Sequence, residues 1–353
     1  MTVKELNRNR IFRLIYDSRG CSRQDIADEL KLSLPTVNQN LKELTDMGLI
    51  AFLGEFVSTG GRKPQIIVAA KDAFYTVALN IRKTYVRLVL VDFLGEVVDS
   101  SKTLLDFVDS DEYSKKLGTL TDEFIKKCNI STGKILGVGI TIPGIFDRES
   151  EKIVVAPTLN IKDYCINKLT RHIKYNSIVV NDARASAFTY LHKTDHMDYG
   201  VYLLADRGVG GCIIENGSIV RGINNRAGEI GHMTIVPDGR KCACGKKGCL
   251  ESYISTQNLP MNSEGDISEI TDEYLDMLSL GIGNISMIFD SPIVIGGGLA
   301  LLIEPFINEI QKKISLMNPL IPDGPDIRID VNSKKEALTG AALMLIEDYI
   351  LKI

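Results

Sequence analysis

The chain is 353 residues long, has a formal net charge of −4, and contains 44% hydrophobic residues, seven cysteines, four histidines and no tryptophan. This composition is typical of a globular protein with more than one domain, because single hydrophobic cores seldom grow beyond about 250 residues. It excludes a membrane-spanning protein, since no apolar run approaches the roughly 20 residues that cross a bilayer and the N-terminus lacks the apolar stretch of a signal peptide, so we expect a cytoplasmic protein without a membrane partner.

Three short helices are predicted before Gly48. Residues 11–15 of the first place apolar side chains on one face at helical spacing. Ser22 opens the second helix, because its hydroxyl can cap the helix while Asp25 completes an arrangement close to a capping box. Ser33 caps the third, which buries apolar residues at i, i+4 and i+7. Three helices in this order predict a helix-turn-helix unit.

The opposite face of the third helix is polar. Its amides, hydroxyl and ammonium group can bond base edges and phosphates, and a helix-turn-helix presents the N-terminal part of its second helix to the major groove in this way. The predicted DNA contacts on this face are Pro35, Thr36, Asn38, Gln39 and Lys42.

Two strands, Leu49–Leu53 and Gln65–Val68, are predicted around a polar, glycine-containing loop, and together they would form a wing. Arg62 and Lys63 in this loop can enter a narrow minor groove, where the negative potential is strongest. Residues 1–70 hold ten Lys and Arg against eight Asp and Glu, an excess too small to demonstrate an anionic partner. The alternative is a small packing module followed by a flexible linker.

From Tyr75 onward, strands alternate with helical patterns, which favours an α/β body. The predicted strands are Thr76–Ile81, Tyr85–Val91, Glu96–Ser101, Ile135–Ile140, Ser177–Val180, Val201–Leu204, Gly211–Ile214 and Ile293–Ile295, with an amphipathic helix over Asp111–Cys128. Several strands end in glycine or polar clusters, at 181–182, 208–211 and 296–298. Ligands in open α/β sheets bind beyond the carboxyl ends of strands, so these clusters mark a candidate cleft.

One histidine and three cysteines lie within eighteen residues, at His232, Cys242, Cys244 and Cys249. They can supply the closed tetrahedral shell that structural Zn²⁺ prefers, and a catalytic zinc is disfavoured because the protein would fill all four places. The alternative is a set of unliganded core cysteines. The remaining cysteines are expected to be ordinary core residues: Cys21, Cys128, Cys165 and Cys212.

The most specific motif of the chain is Glu229-x-Gly231-His232 with Cys242-x-Cys244-Gly245-x-x-Gly248-Cys249-Leu250-Glu251. With these residues the chain resembles the ROK family of repressors, open reading frames and sugar kinases, from the winged helix to the C-terminus. The resemblance implies an α/β fold with an N-terminal winged helix-turn-helix domain over residues 1–70. An actin-like ATPase (ribonuclease H-like) body of two lobes would follow over 71–353, with a structural zinc in the loop 232–249.

The resemblance also implies a sugar site in the cleft of the body. By motif, the sugar hydroxyls would be held by Asn181, Asp182, Glu229, His232 and Glu251. Carboxylates and a carboxamide suit this role, because they take several hydroxyl hydrogen bonds at fixed geometry. One ring nitrogen of His232 would ligate zinc while the other donates to the sugar. Taken singly, Glu229 and Glu251 would fit a solvated surface equally well, and Asn181-Asp182 a turn after a strand.

The chain departs from the kinase pattern at both phosphate loops. Where kinases of the family have Asp-x-Gly-x-Thr, it has Asn80, Arg82 and Thr84, and where they have Gly-Thr-Gly, it has the sequence Asp-Arg-Gly at 206–208. An amide is a poor Mg²⁺ ligand, and phosphoryl transfer depends on positioning and charge neutralisation. We therefore expect no catalysis, with Asp182, the general base of a kinase, only binding a hydroxyl.

These features together predict a sugar-responsive transcriptional repressor of carbohydrate-metabolism genes. The expected partners are operator DNA with an inverted repeat, a sugar or sugar phosphate as effector, and further copies of the chain in a homodimer or a dimer of dimers. Two alternatives stay open at this point: an active ATP-dependent sugar kinase, and a regulator whose input is a protein partner.

Overall fold

The computed structural model of the chain describes residues 2–55, 65–147, 150–194, 197–263, 267–332 and 338–353. At its N-terminus three helices pack together, and a two-stranded antiparallel sheet follows them. These elements are α1 Val3–Asp17, α2 Arg23–Leu30, α3 Leu34–Asp46, β1 Ile50–Glu55 and β2 Gln65–Ala69. Three helices followed by a β-ribbon make a winged helix-turn-helix, as the sequence predicts.

The predicted helix starts are confirmed by the caps. The Ser22 hydroxyl accepts from the Asp25 N–H at 3.2 Å, and the Asp25 carboxylate accepts from the Ser22 N–H at 2.8 Å, which completes the capping box of α2. Ser33 caps α3 by accepting from the Thr36 N–H. Side chains of α3 at i, i+4 and i+7 are buried, as their spacing predicts, and they are Val37, Leu41 and Leu44.

The body is built from strands and helices that alternate along the chain. Its strands are β3 Tyr75–Ile81, β4 Tyr85–Asp92, β5 Val97–Leu104, β6 Ile135–Ile142, β7 Ile145–Asp147, β8 Lys152–Ala156, β9 Ile161–Cys165, β10 Ser177–Asn181, β11 Tyr199–Ala205, β12 Val209–Glu215, β13 Ser218–Ile219, β14 Ile293–Gly296 and β15 Ile327–Ile329. Its helices are α4 Asp111–Lys127, α5 Ile166–Thr170, α6 Asp182–Lys193, α7 Glu251–Ile254, α8 Asp272–Phe289, α9 Ala300–Ile303, α10 Ile307–Met317 and α11 Gly340–Ile350. Within the described ranges, none of the helices has the length and apolarity that crossing a bilayer requires.

The body contains two five-stranded sheets with the same topology. Their strand orders are β10-β6-β3-β4-β5 and β15-β14-β11-β12-β13. In each sheet, three strands that are consecutive in sequence pair antiparallel: β3-β4-β5 in one and β11-β12-β13 in the other. Two further strands then continue the sheet beyond β3 or β11, and each of them pairs parallel to its neighbour. This duplication makes the two α/β lobes that the sequence predicts. A third, three-stranded sheet, β7-β8-β9, is not predicted.

The winged helix-turn-helix unit packs directly on the body. Buried side chains of α1, including Phe12, belong to the same apolar cluster as Phe93 after β4 and the buried face of α11. The Tyr16 hydroxyl donates to the Phe93 carbonyl at 2.9 Å, and the Arg13 guanidinium contacts both carboxylate oxygens of Glu347 at 2.5 and 2.6 Å. One continuous core therefore joins the DNA-binding unit to the first lobe.

Candidate functional site

The N-terminus of α6 is fixed by Asn181, the last residue of β10. Its side-chain carbonyl accepts from the N–H groups of Ala183 and Arg184 at 2.8 and 3.2 Å, and its amide donates to the Gly144 carbonyl at 2.8 Å. The cap holds the next residue, Asp182, at the start of the helix, where the helix dipole favours a carboxylate. The second hydrogen of the Asn181 amide takes no part in these bonds.

Asp182 forms an ion pair with Arg82 from the β3–β4 turn. One guanidinium nitrogen lies 3.1 Å from Asp182 Oδ2, and the Nε of Arg82 donates to the Asn80 side-chain oxygen at 3.2 Å. Asn80 in turn donates to the Thr141 hydroxyl at 2.6 Å. These bonds join β3, β6 and α6 at the carboxyl ends of two parallel strands, which is where ligands of open α/β sheets bind.

The glycines before and within β12 allow the neighbouring elements to approach closely. A Cβ on Gly210 would lie 2.6 Å from the Ala183 side chain on α6, and one on Gly211 would lie 2.9 Å from the Gly228 carbonyl. Side chains at these positions would therefore push α6 and the loop before Glu229 away from the sheet. The glycine cluster predicted to mark the cleft serves close packing around it.

Glu229 lies in a carboxylate-rich environment together with two other predicted site residues. Its pKa is raised to about 7, first by burial and then by the nearby carboxylates of Glu251 and Asp182, while the Arg184 guanidinium opposes the rise. Three carboxylates from separate elements are therefore close enough to influence one another electrostatically. Arg184 is anchored beside it by Asn225, whose side-chain and main-chain oxygens accept its hydrogen bonds at 2.6 and 3.1 Å.

Glu251, the first residue of α7, connects β12 with the cysteine loop. Its Oε2 accepts from the Val209 N–H at 2.9 Å, and its Oε1 lies 3.6 Å from Cys242 Sγ. The carboxylate therefore has a fixed position between the start of β12 and the loop, which also contains His232 and Cys249. A change in the shape of this loop would move a carboxylate of the cleft.

The predicted ligands His232, Cys242, Cys244 and Cys249 come together in a group that can hold a metal ion. Their ligand atoms all lie within 4.8 Å of one another. His232 Nδ1 lies 3.7 Å from Cys242 Sγ, and the sulfurs of Cys244 and Cys249 lie 3.8 Å apart. Ligand atoms of a tetrahedral thiolate shell are separated by about 3.8 Å, so these two distances are compatible with such an ion.

The remaining cysteines only partly follow the sequence prediction. Cys21 and Cys212 are buried, as expected. Cys128 and Cys165 are only half-buried. Cys128 still packs against the apolar cluster of the first lobe, so of these two only the assignment of Cys165 to the core is wrong. Both lie at element ends: Cys128 directly follows α4, and Cys165 is the last residue of β9, where the chain returns to the surface.

The outer face of α3 is open to solvent near its N-terminus. Pro35, Asn38, Gln39 and Lys42 are exposed. Thr36 is half-buried, and its hydroxyl lies 2.8 Å from that of the cap residue Ser33, so it is partly engaged within the helix. The two wing residues of the prediction, Arg62 and Lys63, lie outside the described residues.

The sequence assigns no ligand-binding role to the two arginines of the cleft. Arg184 lies two residues after Asp182 on α6, so its position close to that motif is a signal that could have found it. The sequence marks Arg82 only as a departure from the kinase pattern, whereas the structure pairs it with a carboxylate 100 positions away. No local pattern indicates a contact over that separation.

A winged helix-turn-helix joined to an actin-like body of two lobes, with an Arg–Asp pair at the carboxyl ends of parallel strands and a Cys₃His group, defines a class of regulators related to sugar kinases. Residues 76–348 match the model of the ROK family, and residues 5–51 match that of a winged helix-turn-helix DNA-binding domain. The chain belongs to the ROK family.

Several known proteins are similar to this chain over most of its length. The xylose repressor of Bacillus subtilis strain 168 is 28% identical over 98% of this chain and 91% of its own. The DNA-binding transcriptional dual regulator NagC of Escherichia coli K12 is also 28% identical, over 72% of this chain and 63% of its own. A solved ROK family transcriptional regulator, a homologue of the E. coli MLC protein, has a TM-score of 0.75 at 22% identity and covers 99% of this chain and 97% of its own.

The fold of the body is shared with kinases. A ROK family glucokinase from Streptomyces griseus, solved with glucose and AMPPNP, covers 76% of this chain and 98% of its own, with a TM-score of 0.64 and 20% identity. At this identity the likeness concerns the fold alone. Fold does not distinguish a kinase from a regulator here, so the distinction depends on the residues of the site.

Proposed function

We propose that this protein is a sugar-responsive transcriptional repressor of carbohydrate-metabolism genes. Its winged helix-turn-helix binds operator DNA, and a sugar in the cleft between the lobes changes operator affinity. The observation that carries the proposal is the ion pair of Asp182 with Arg82 in a chain that also has an exposed recognition face on α3. The xylose repressor and NagC, which are similar to the whole chain or to most of it, support the same assignment.

The cleft is suited to bind a sugar through Asn181, Asp182, Glu229, His232 and Glu251. Three carboxylates accept hydrogen bonds from hydroxyls, while the second N–H of the Asn181 amide, the arginines and the free ring nitrogen of His232 supply donors. His232 Nδ1 faces Cys242, which leaves Nε2 for the ligand. A thermal-shift panel of monosaccharides and their phosphates tests this, because selective binding to the folded state raises the melting temperature.

For the operator, we propose a homodimer whose two α3 helices enter successive major grooves. Two winged helix-turn-helix units related by a twofold axis require an operator with an inverted repeat, whose half-sites lie about one or more helical turns apart. Selection of bound sequences from a random oligonucleotide pool tests this directly. Recovered sites without twofold symmetry would contradict the dimeric arrangement.

We expect no phosphoryl transfer from ATP to any sugar that the protein binds. The general-base position, Asp182, is compensated by Arg82, and the amide of Asn80 is bonded to Thr141 where a kinase would present a carboxylate to Mg²⁺. At the second phosphate loop, the Asp206 carboxylate accepts from the Arg207 N–H, and the resemblance to the kinases implies that it stands where phosphate oxygens would lie. A coupled assay for ADP measures this, with an active glucokinase as the positive control. Turnover of about 1–100 s⁻¹ would instead establish the kinase alternative.

We infer that the Cys₃His group holds a structural zinc. When bound, the ion would close the loop that positions Glu251, through His232, Cys242, Cys244 and Cys249. No protein ligand position would be left open, so the ion would stabilise the loop and take no part in chemistry.

Replacing Cys244 with serine is expected to remove the metal and to lower both the melting temperature and the sugar affinity. Metal binding, stability and sugar affinity should fall together, because Glu251 follows Cys249 by two residues and its position depends on the shape of the loop. Elemental analysis and thermal melting of freshly purified protein measure it. Cys128→Ser, outside the group, is the matched control and should retain about one Zn²⁺ per chain. Folded parent protein free of metal would contradict the inference.

A further inference from the structure

The polar groups of the cleft are unevenly balanced between acceptors and donors. Asp182, Glu229 and Glu251 accept hydrogen bonds when they are ionised. Of the two guanidinium groups, that of Arg184 is already engaged by both oxygens of Asn225. Arg82 instead pairs directly with a carboxylate, with a guanidinium nitrogen 3.1 Å from Asp182 Oδ2.

The Arg82–Asp182 pair is accessible to a ligand. About a third of the Arg82 side chain and a fifth of the Asp182 side chain are exposed, at 33% and 19%. Arg82 uses Nε for Asn80 and one terminal nitrogen for Asp182, so among the residues that the structure describes its second terminal nitrogen keeps both of its hydrogens. Both members of the pair can therefore contact one small molecule.

A sugar hydroxyl donates one hydrogen bond and accepts others. Asp182 can accept from such a hydroxyl but cannot donate to its oxygen. Arg82, with a nitrogen 3.1 Å from the same carboxylate, supplies the missing donor. We propose that Arg82 is a specificity-determining contact residue, which together with Asp182 recognises one hydroxyl of an unphosphorylated sugar. This inference rests on the proposed sugar-sensing function.

The charge distribution is the reason for an unphosphorylated ligand. The charge of Arg82 is compensated by Asp182, and Arg184 lies within the field of Glu229. A phosphate with one to two negative charges would have to enter beside three carboxylates and compete with Asp182 for Arg82.

A thermodynamic cycle between protein and ligand tests the proposal. Titration calorimetry first identifies which neutral monosaccharide, beginning with D-xylose and D-glucose, binds the full-length parent chain. Its monodeoxy analogues and its phosphate ester are then titrated into the parent, Arg82→Met, Arg82→Lys and the control Lys83→Met, which removes an exposed charge from the neighbouring position. The cycle isolates the contact between one side chain and one hydroxyl.

We expect Arg82→Met to weaken binding of the intact sugar by about tenfold or more, the usual effect of losing a hydrogen bond to a charged group. One deoxy analogue should lose clearly more affinity for the parent than for Arg82→Met, because in the variant the Arg82 contact is already absent and only the contact with Asp182 is left to lose. Arg82→Lys should fall between the two, since it keeps a charged donor without the planar fork. Lys83→Met should bind like the parent, and the phosphate ester should bind more weakly than the neutral sugar.

The contact of Arg82 and the sugar-sensing function fail in different ways. Deoxy penalties that are the same in the parent and in folded Arg82→Met and Arg82→Lys would overturn the role of Arg82, while the sugar-sensing function would stand. Tighter binding of the phosphate ester would overturn the assignment of a neutral ligand. If no monosaccharide, phosphorylated or not, binds the parent, the proposed function itself is overturned.

Discussion

Replacing Asp182 with alanine is expected to abolish sugar-induced release of operator DNA while operator binding without sugar persists. The substitution removes an acceptor that receives a sugar hydroxyl and leaves Arg82 without its carboxylate partner. Loss of a hydrogen bond to a charged group weakens binding by about tenfold to a hundredfold. Fluorescence anisotropy of a labelled operator, with increasing sugar, measures both quantities in one titration.

The fold explains why this variant should separate the two activities. Asp182 begins α6 in the cleft, and the same helix ends next to the DNA-binding unit, where the His192 ring lies 6.0 Å from the ring of Tyr16 on α1. A sugar shifts the DNA-binding equilibrium only by as much as its affinity differs between the two conformations. Removing a sugar contact therefore removes the sugar-induced change in DNA affinity. The winged helix-turn-helix unit keeps its contacts with the body, which are made by Arg13 and at Phe93.

Asp276→Ala is the matched control for this prediction. Its carboxylate is exposed on α8 in the second lobe and pairs with Lys313, away from the cleft. It should release DNA at the same sugar concentration as the parent. Release by Asp182→Ala at that concentration would place the effector site elsewhere in the molecule.

Local signals made the N-terminal unit predictable. The cap residues Ser22 and Ser33 act within three positions of themselves, so the helix starts follow from short stretches of sequence. The spacing of His232 and the three cysteines likewise lies within eighteen residues, and the structure brings all four together. Where the interacting residues are close in sequence, as in these caps and this ligand group, the prediction and the structure agree.

Features that depend on distant contacts were not predictable in the same way. Among the described residues, the short strands of the sheet β7–β9 pair with one another alone, and they have no long apolar pattern. The contact of Arg82 with Asp182 and the shared core of Phe12 with Phe93 join positions 80 or more residues apart. Such contacts are selected by tertiary packing, and no local propensity indicates them.

Replacing Gln39 with alanine is expected to relax base preference at one base pair in each operator half-site. Gln39 is exposed near the N-terminus of α3, beside Asn38, in the part of a recognition helix that reaches base edges. A glutamine can form two hydrogen bonds with adenine in the major groove, and removing one such pairing weakens binding by about 1–3 kcal/mol. In a homodimer the loss occurs twice per operator, so the total effect on affinity should be large.

Lys42→Ala should differ in kind, because an ammonium group one helical turn further along α3 is placed for phosphate rather than for a base. It should weaken binding to specific and non-specific DNA alike and lower the salt dependence of log K by about 0.9 for each phosphate that is no longer neutralised. Gln39→Ala should leave that slope unchanged. Salt titrations against the operator and against operators altered at single base pairs distinguish the two effects, with Gln257→Ala in the body as the control. Parent-like affinity, base preference and slope in both variants would mean that α3 does not contact DNA and that the three helices form only a packing unit.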